Sequence, residues 1–175
     1  FRVLRENGVG VAFTNALRMM SNYSSDIVSD HSDFEDLDVK RECPLSIPCN
    51  SNPLVSIIIP VYNQYQYTVA CINSVLDACN GIDVEIILGD DNSSDETQYM
   101  RDRVRGLKVV RNSHNLGFLL NCNNAAKYAK GKYILFLNND TIVRRNWLKS
   151  LVDLAESDSK IGLVGSKFIY PDGSL

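Results

Sequence analysis

Four short apolar runs, each stopping at polar residues and alternating with helical patterns, constrain this chain more than any other feature. Residues 55–59 are apolar and β-branched apart from Ser56 and end at Pro60, residues 84–88 repeat the pattern, residues 107–110 form a shorter run, and residues 133–137 a fourth. Runs of this length without polar alternation suit strands buried on both faces of a parallel sheet. Between them lie amphipathic patterns. Val69, Ile72, Leu76 and Cys79 share one helical face, closed by Asn80 and Gly81. Ser93 and Glu96 have capping-box spacing for a second helix running to about Val104. Residues 118–130 predict a third helix stopped by Gly131. Trp147, Leu148, Leu151, Val152 and Ala155 predict a fourth, ahead of a strand-like run over 161–170. Strands alternating with helices imply an α/β fold, a Rossmann-like, mostly parallel sheet with helices on both faces.

Such sheets bind ligands outside the carboxyl ends of their strands, where the strand order reverses. The polar residues at those ends are therefore the candidates: Pro60, Val61, Tyr62 and Asn63 after the first strand, Asp90, Asp91 and Asn92 after the second, and Asn138, Asn139 and Asp140 after the fourth. A tyrosine ring can stack on a base. An aspartate can accept hydrogen bonds from a base or ribose, and a carboxylate with amide neighbours can hold Mg2+ or Mn2+. The set suits a nucleoside diphosphate with its metal.

Other chemistries lack their residues. No GxGxxG, GxxxxGK[ST] or GxSxG motif occurs, which removes the usual dinucleotide, P-loop and nucleophile-elbow routes. The two histidines, His31 and His114, fall in a polar stretch and a loop, which gives a histidine-based triad little support. A net charge of -3 gives no whole-chain reason to expect nucleic acid. No run of about 18 apolar residues is present to span a membrane.

Three segments follow. Residues 1–20 carry a helical stripe (Val9, Phe13, Ala16, Leu17, Met20) among arginines, an amphipathic helix expected to pack on a domain or to lie on a membrane surface. Residues 21–53 read as an acidic polar linker, with seven acidic side chains against two basic ones between Asp26 and Glu42. Residues 54–175 form the α/β unit. The five cysteines (43, 49, 71, 79, 122) make no CxxC pair. Cys71 and Cys79, eight residues apart on one helix, would be about 12 Å apart, beyond disulfide reach. Reduced thiols and a cytoplasmic address are the expectation.

The runs VSIIIPVYNQ (55–64), IILGDDNSSDET (86–97) and HNLGFLLNCNNAAKYAKGKYILFLNNDT (114–141), in this order and spacing, resemble the family 2 glycosyltransferases of the GT-A fold. The resemblance implies inverting transfer of a sugar from a nucleoside-diphosphate-sugar donor to a hydroxyl of a glycan or lipid-linked acceptor, in cell-envelope polysaccharide biosynthesis at or near the inner face of the membrane. It implies that Pro60, Val61, Tyr62 and Asn63 form a nucleotide-contacting loop. Asp91 would bond a pyrimidine, with Asp90 as its supporting neighbour. Asn115, Gly117 and Asn123 would line the donor site, Gly117 by letting backbone come close. Asn138, Asn139 and Asp140 stand where the family carries its Asp-x-Asp metal motif, and Asn138 replaces the first aspartate. Asp140 is then the one anionic ligand for Mg2+ or Mn2+. The general base is expected beyond Leu175, in an acceptor half absent from this sequence, and Asp172 reads as a turn residue.

Two alternatives stand beside transfer. One is a nucleotide-binding module that is catalytically incomplete. The other is a phospho-receiver-like regulatory domain, because Asp90, Asp91, Asp140 and Lys167 echo that constellation; receivers, however, place the acidic pair after their first strand.

Overall fold

Val55–Val61 forms a strand, β2, in which every residue is buried, as an apolar run without alternation requires when neighbours lie on both sides and both faces. The structure is a computed structural model that describes residues 3–4, 43, 46–48, 51–79 and 81–169. In chain order the elements are β1 (Val3–Leu4), β2, α1 (Tyr65–Ala78), β3 (Val84–Asp90), α2 (Met100–Arg103), β4 (Lys108–Arg111), α3 (Phe118–Ala126), β5 (Tyr133–Phe136) and α4 (Trp147–Ser157). Two units divide the chain, residues 1–5 with 38–166 and residues 6–37 with 167–175. All the elements above belong to the first. Of the second, residues 167–169 are described; they are exposed and without regular structure.

The sheet order is β1-β5-β2-β3-β4. β2 pairs in parallel with β3 and β5, and β3 with β4, while β1 runs antiparallel along β5. The chain lays β3 and β4 on one side of β2 and then returns to place β5 on the other, so the order reverses between β2 and β5. A proline helps to open that point. Backbone bonds from Tyr133 to Leu54 and from Leu137 to Ile58 show that even-numbered residues of β2 face β5. Pro60, which has no N–H, therefore faces the side where pairing has already ended, at Ile58 with Phe136.

Alternate residues of the strands feed two cores. Ile57, Ile59, Val61, Ile86, Leu88 and Leu135 pack with Val69, Ile72 and Val75 of α1 and Leu148 and Leu151 of α4. On the opposite face Ile58 and Ile87 meet Ala125 of α3, in a much smaller cluster. Helices on both faces of a mostly parallel sheet match the expected fold.

Several local expectations change. The helix after β3 is capped by Asp95, not by Ser93: Asp95 accepts from the Thr97 amide at 3.0 Å, and a 3-10 turn over Glu96–Tyr99 leads into α2. The Ser93 hydroxyl instead accepts from the Asn63 amide at 2.8 Å. α3 ends at Ala126, before the expected residue 130, and Gly131 does not stop it. Residues 161–169 form no strand, although Val164 is buried. The polar linker is not all surface: Ile47 is buried in the main core and Ser46 bridges Arg105. Val3–Leu4 pairs as a strand, while the apolar stripe from Val9 to Met20 lies outside the described residues.

Cys71, Cys79 and Cys122 are buried cysteines outside any disulfide, and Cys43, also outside any disulfide, is half-buried. Burial pushes Cys79 up to about 12, and Cys122 also to about 12, where the nearby Asp91 charge adds to burial. At pH 8 only about 10⁻⁴ of either would be thiolate, the reactive form. Iodoacetamide at pH 8 should therefore leave Cys79 and Cys122 unmodified in the folded protein and alkylate both in denaturant. Peptide mass spectrometry reads this directly, and rapid native labelling would contradict the packing described.

Candidate functional site

The carboxyl ends of β5, β2, β3 and β4 place four loops along one rim. After β2 the backbone turns through two consecutive left-handed residues, Asn63 and Gln64, with φ of 59° and 64°. Neither is glycine, so the turn must be held from outside. The loop after β3 holds it. The Asn63 side-chain oxygen accepts from the Ser94 amide at 2.8 Å, and the Asp95 carboxylate accepts from the Tyr65 amide at 2.9 Å. With its base pinned, Tyr62 stands at the rim with 54% of its surface exposed, free to stack on a flat ligand.

The two aspartates after β3 take different partners. Asp90 is fully buried, accepts from the Ser93 amide and pairs with the Arg111 guanidinium at the end of β4. It braces the rim, as expected of a supporting neighbour. Asp91 is 3% exposed. One of its oxygens accepts from the Asn112 side chain and the Leu116 amide, each at 2.8 Å, and the other from the Gly117 amide at 2.8 Å. A carboxylate offers about four acceptor positions, so one remains. Asp91 thus clamps the loop that carries Asn115 and Gly117 onto the end of β3.

That clamp belongs to a buried amide network that the sequence reading missed. Asn112 also donates to Asn121 at 3.0 Å, Asn121 donates to the Gly89 carbonyl at 2.7 Å, and Asn124 donates to Asn112 at 2.7 Å. Gly89 leaves room for it, since a Cβ there would sit 3.0 Å from the Asn121 oxygen. The one sequence signal was the density of asparagines between residues 112 and 124, in a stretch otherwise patterned as a helix. Asn115 closes a local turn, its side chain accepting from the Gly117 amide at 2.9 Å. Gly117 is also required by its backbone conformation. Nothing lies within 4 Å of where its Cβ would be, but its φ of +80° is a conformation that side chains strain to adopt.

Asn138, Asn139 and Asp140 follow β5 across the crevice from Tyr62. The Asn138 carbonyl accepts from the Cys71 thiol at 3.5 Å, and the Asn139 side chain donates to Thr68 at 3.1 Å, which ties both to α1. Burial raises Cys71 to about 12, with a further push from the adjacent Asp140 charge. Asp140 itself is exposed, as is Asn138. Among the described residues no three His, Cys, Asp or Glu side chains gather into a metal cluster. The donor set at the crevice is one free carboxylate beside an exposed amide. Such hard oxygen donors suit Mg2+ or Mn2+ only if the ligand's own phosphates complete the shell.

The rim therefore brings together Tyr62, Asn63, Asn138, Asn139 and Asp140 beside the buried Asp91, with Asn115 and Gly117 in the clamped loop; Pro60 and Val61, expected in the loop after the strand, instead lie buried within β2, with Val61 in the main core. Asn123 does not join them. It lines an open depression of about 490 Å³ at the β4 edge, between the loop after β4 and the outer face of α3.

The sequence profile described as Glycosyl transferase family 2 matches residues 56–175. An uncharacterized glycosyltransferase of Haemophilus influenzae is 30% identical over 118 residues, 65% of this chain and 36% of the relative. The Escherichia coli UDP-Glc:alpha-D-GlcNAc-diphosphoundecaprenol beta-1,3-glucosyltransferase WfgD is 32% identical over 124 residues, 70% of this chain and 49% of the relative. Among solved structures, the mannosyltransferase PcManGT of Pyrobaculum calidifontis, in complex with GDP-Man and Mn2+, superposes with a TM-score of 0.53 at 18% identity, over 70% of this chain and 38% of the other. The chain thus spans between about a third and a half of the length of these proteins.

Proposed function

The chain belongs to glycosyl transferase family 2, and from that premise we propose that it is the donor-binding part of an inverting, metal-assisted enzyme that transfers a sugar from a nucleoside diphosphate to a glycan or lipid-linked acceptor. The observation that carries this reading is the placement of Tyr62 and Asp140 on opposite sides of the β2–β5 crevice, where the strand order reverses. Tyr62 offers a stacking face to the nucleoside. The Asp91 clamp sets the Asn115–Gly117 backbone beside it, and the one acceptor position left on Asp91 is the place for a base N–H. Asp140 would hold the metal, with the Asn138 amide next to it. When bound, the ion neutralises charge that grows on the departing diphosphate. Four described cysteines outside any disulfide support a reducing, cytoplasmic address. Among the described residues no helix is long and apolar enough to cross a membrane.

The buried, engaged state of Asp90 and Asp91 tells against a receiver-like acidic pocket, which needs open carboxylates. A nucleotide-binding module without transfer activity shares every contact above and differs only in turnover.

Calorimetry with UDP, dTDP and GDP, with and without Mn2+, tests the reading. The preferred nucleotide should bind at least about tenfold tighter with metal, ~1.4 kcal/mol. Asp140→Ala should remove that gain and leave the metal-free affinity and the Tm unchanged, because the side chain is exposed and supports nothing else. Equal affinity of the unaltered protein in both conditions would sink the metal assignment.

A further inference from the structure

The depression at the β4 edge is not part of the crevice that holds Asp140: β3 and β2 stand between β4 and β5, about 14 Å at ~4.8 Å per strand. Its volume of about 490 Å³ is within the range of small-molecule sites. No aspartate or glutamate lines it, in a chain whose net charge is -3. Of its cations, Arg111 is spent on Asp90, Asn92 and Ser93. Lys127 is not: its ammonium lies 3.4 Å from the Asn124 amide oxygen and makes no ion pair among the described residues. The half-buried Asn123 amide makes no hydrogen bond among them either, which leaves two donors and an acceptor unspent at the cleft wall. His114 and Ser113 also line it, and Leu116 and Leu120 supply apolar lining. The floor is rigid, because Asn112 is locked to Asp91, Asn121 and Asn124.

We propose that this cleft is a second binding site, for an anionic sugar unit of a glycan: a pyranose bearing a carboxylate or a phosphate. Lys127 meets the anion, Asn123 bonds the ring hydroxyls, and Leu120 covers the C–H face of the sugar. That the ligand is a saccharide, and not another anion of this size, rests on the glycosyltransferase reading. Such a site holds a charged segment of the glycan at a distance from the transfer centre and favours charged acceptors over neutral ones.

NMR titration of the whole chain, without nucleotide or metal, tests it with four probes: glucuronic acid, glucose 6-phosphate, glucose and inorganic phosphate. The two anionic sugars should bind at least tenfold tighter than either glucose or phosphate and shift the resonances of Asn123 and Lys127. Lys127→Gln should lose that preference, Lys127→Arg should keep most of it, and both should retain nucleotide affinity and Tm. Asp140→Ala should bind the sugars normally. Glucose binding as well as glucuronic acid, phosphate binding as well as glucose 6-phosphate, an unaltered response in Lys127→Gln, or no saturable binding would each overturn the proposal. Loss of nucleotide binding with the sugar response intact would count against the donor reading and not against this site.

Discussion

Replacing Gly131 by alanine should destabilise the protein by at least about 3 kcal/mol, the upper end of what overpacking a tight contact costs. A Cβ on Gly131 would sit 2.5 Å from the Ser56 amide nitrogen, 2.8 Å from the Val55 carbonyl carbon and 2.9 Å from the Ser56 hydroxyl. Two of these are backbone atoms of β2, the central strand, and cannot move aside without disturbing its pairing with both neighbours. The approach is close because Ser56, itself fully buried, is the node of a polar knot at the amino end of the sheet. Its hydroxyl donates to Glu85 at 2.5 Å and accepts from the Gly131 amide at 2.8 Å and the Lys130 amide at 3.1 Å. A displaced Gly131 would leave these groups buried and underbonded. Gly81 is the control: its φ is +83° but nothing lies within 4 Å, so Gly81→Ala should cost about 1 kcal/mol. Urea unfolding of the two variants decides the matter, and equal losses would show that Gly131 is tolerant of a side chain.

Asp91→Ala should cost nearly as much, and should also lower nucleotide affinity with or without metal by about tenfold. The substitution removes the acceptor of the buried Asn112 side chain and of the part-buried Leu116 and Gly117 amides. Each donor left buried without a partner costs about 1–3 kcal/mol. The loop from Asn112 to Gly117 would lose its anchor, so the amides of Leu116 and Gly117 should exchange hydrogen faster while those of β2 are unchanged. Asp91→Asn should fare little better, because its NH2 group must face at least one of the three donors. A variant that keeps full stability and slow exchange at Leu116 and Gly117 yet loses the nucleotide would show that Asp91 serves as a base contact alone. The contrast with Asp140→Ala separates the two carboxylates: one builds the rim, the other is presented by it.

Asp91 also shows where sequence reading stops. The resemblance pointed to it as a nucleotide contact, and it does stand at the rim. Its three bonds, however, come from residues 21 to 26 positions away, and no local pattern encodes which amides will face it. Asn112, Asn121 and Asn124 were invisible for the same reason, since an asparagine reads alike in a loop, at a cap or in a buried network. Outside the family motif, glycines were legible only as breakers. Gly131 was read as a helix stop because a glycine after an apolar stripe usually ends one, whereas its position is fixed by contact with a strand 75 residues earlier. The capping box failed on a tertiary contact: Ser93 has the right spacing, but its hydroxyl is directed at the Asn63 amide and Asp95 caps the turn.

The sequence alone determined the α/β class, the parallel sheet, the strand ends that carry the candidate site and the family, because these depend on the period of apolar residues and on motif order along the chain. Tertiary structure decided which polar residues are presented and which are consumed. Asp90 and Asp91 sit inside and hold the frame, Tyr62 and Asp140 stand free on it, and Asn123 turns to another cleft. The physical reason is that a polar side chain taken from water must find partners, and the fold determines which partners come within reach.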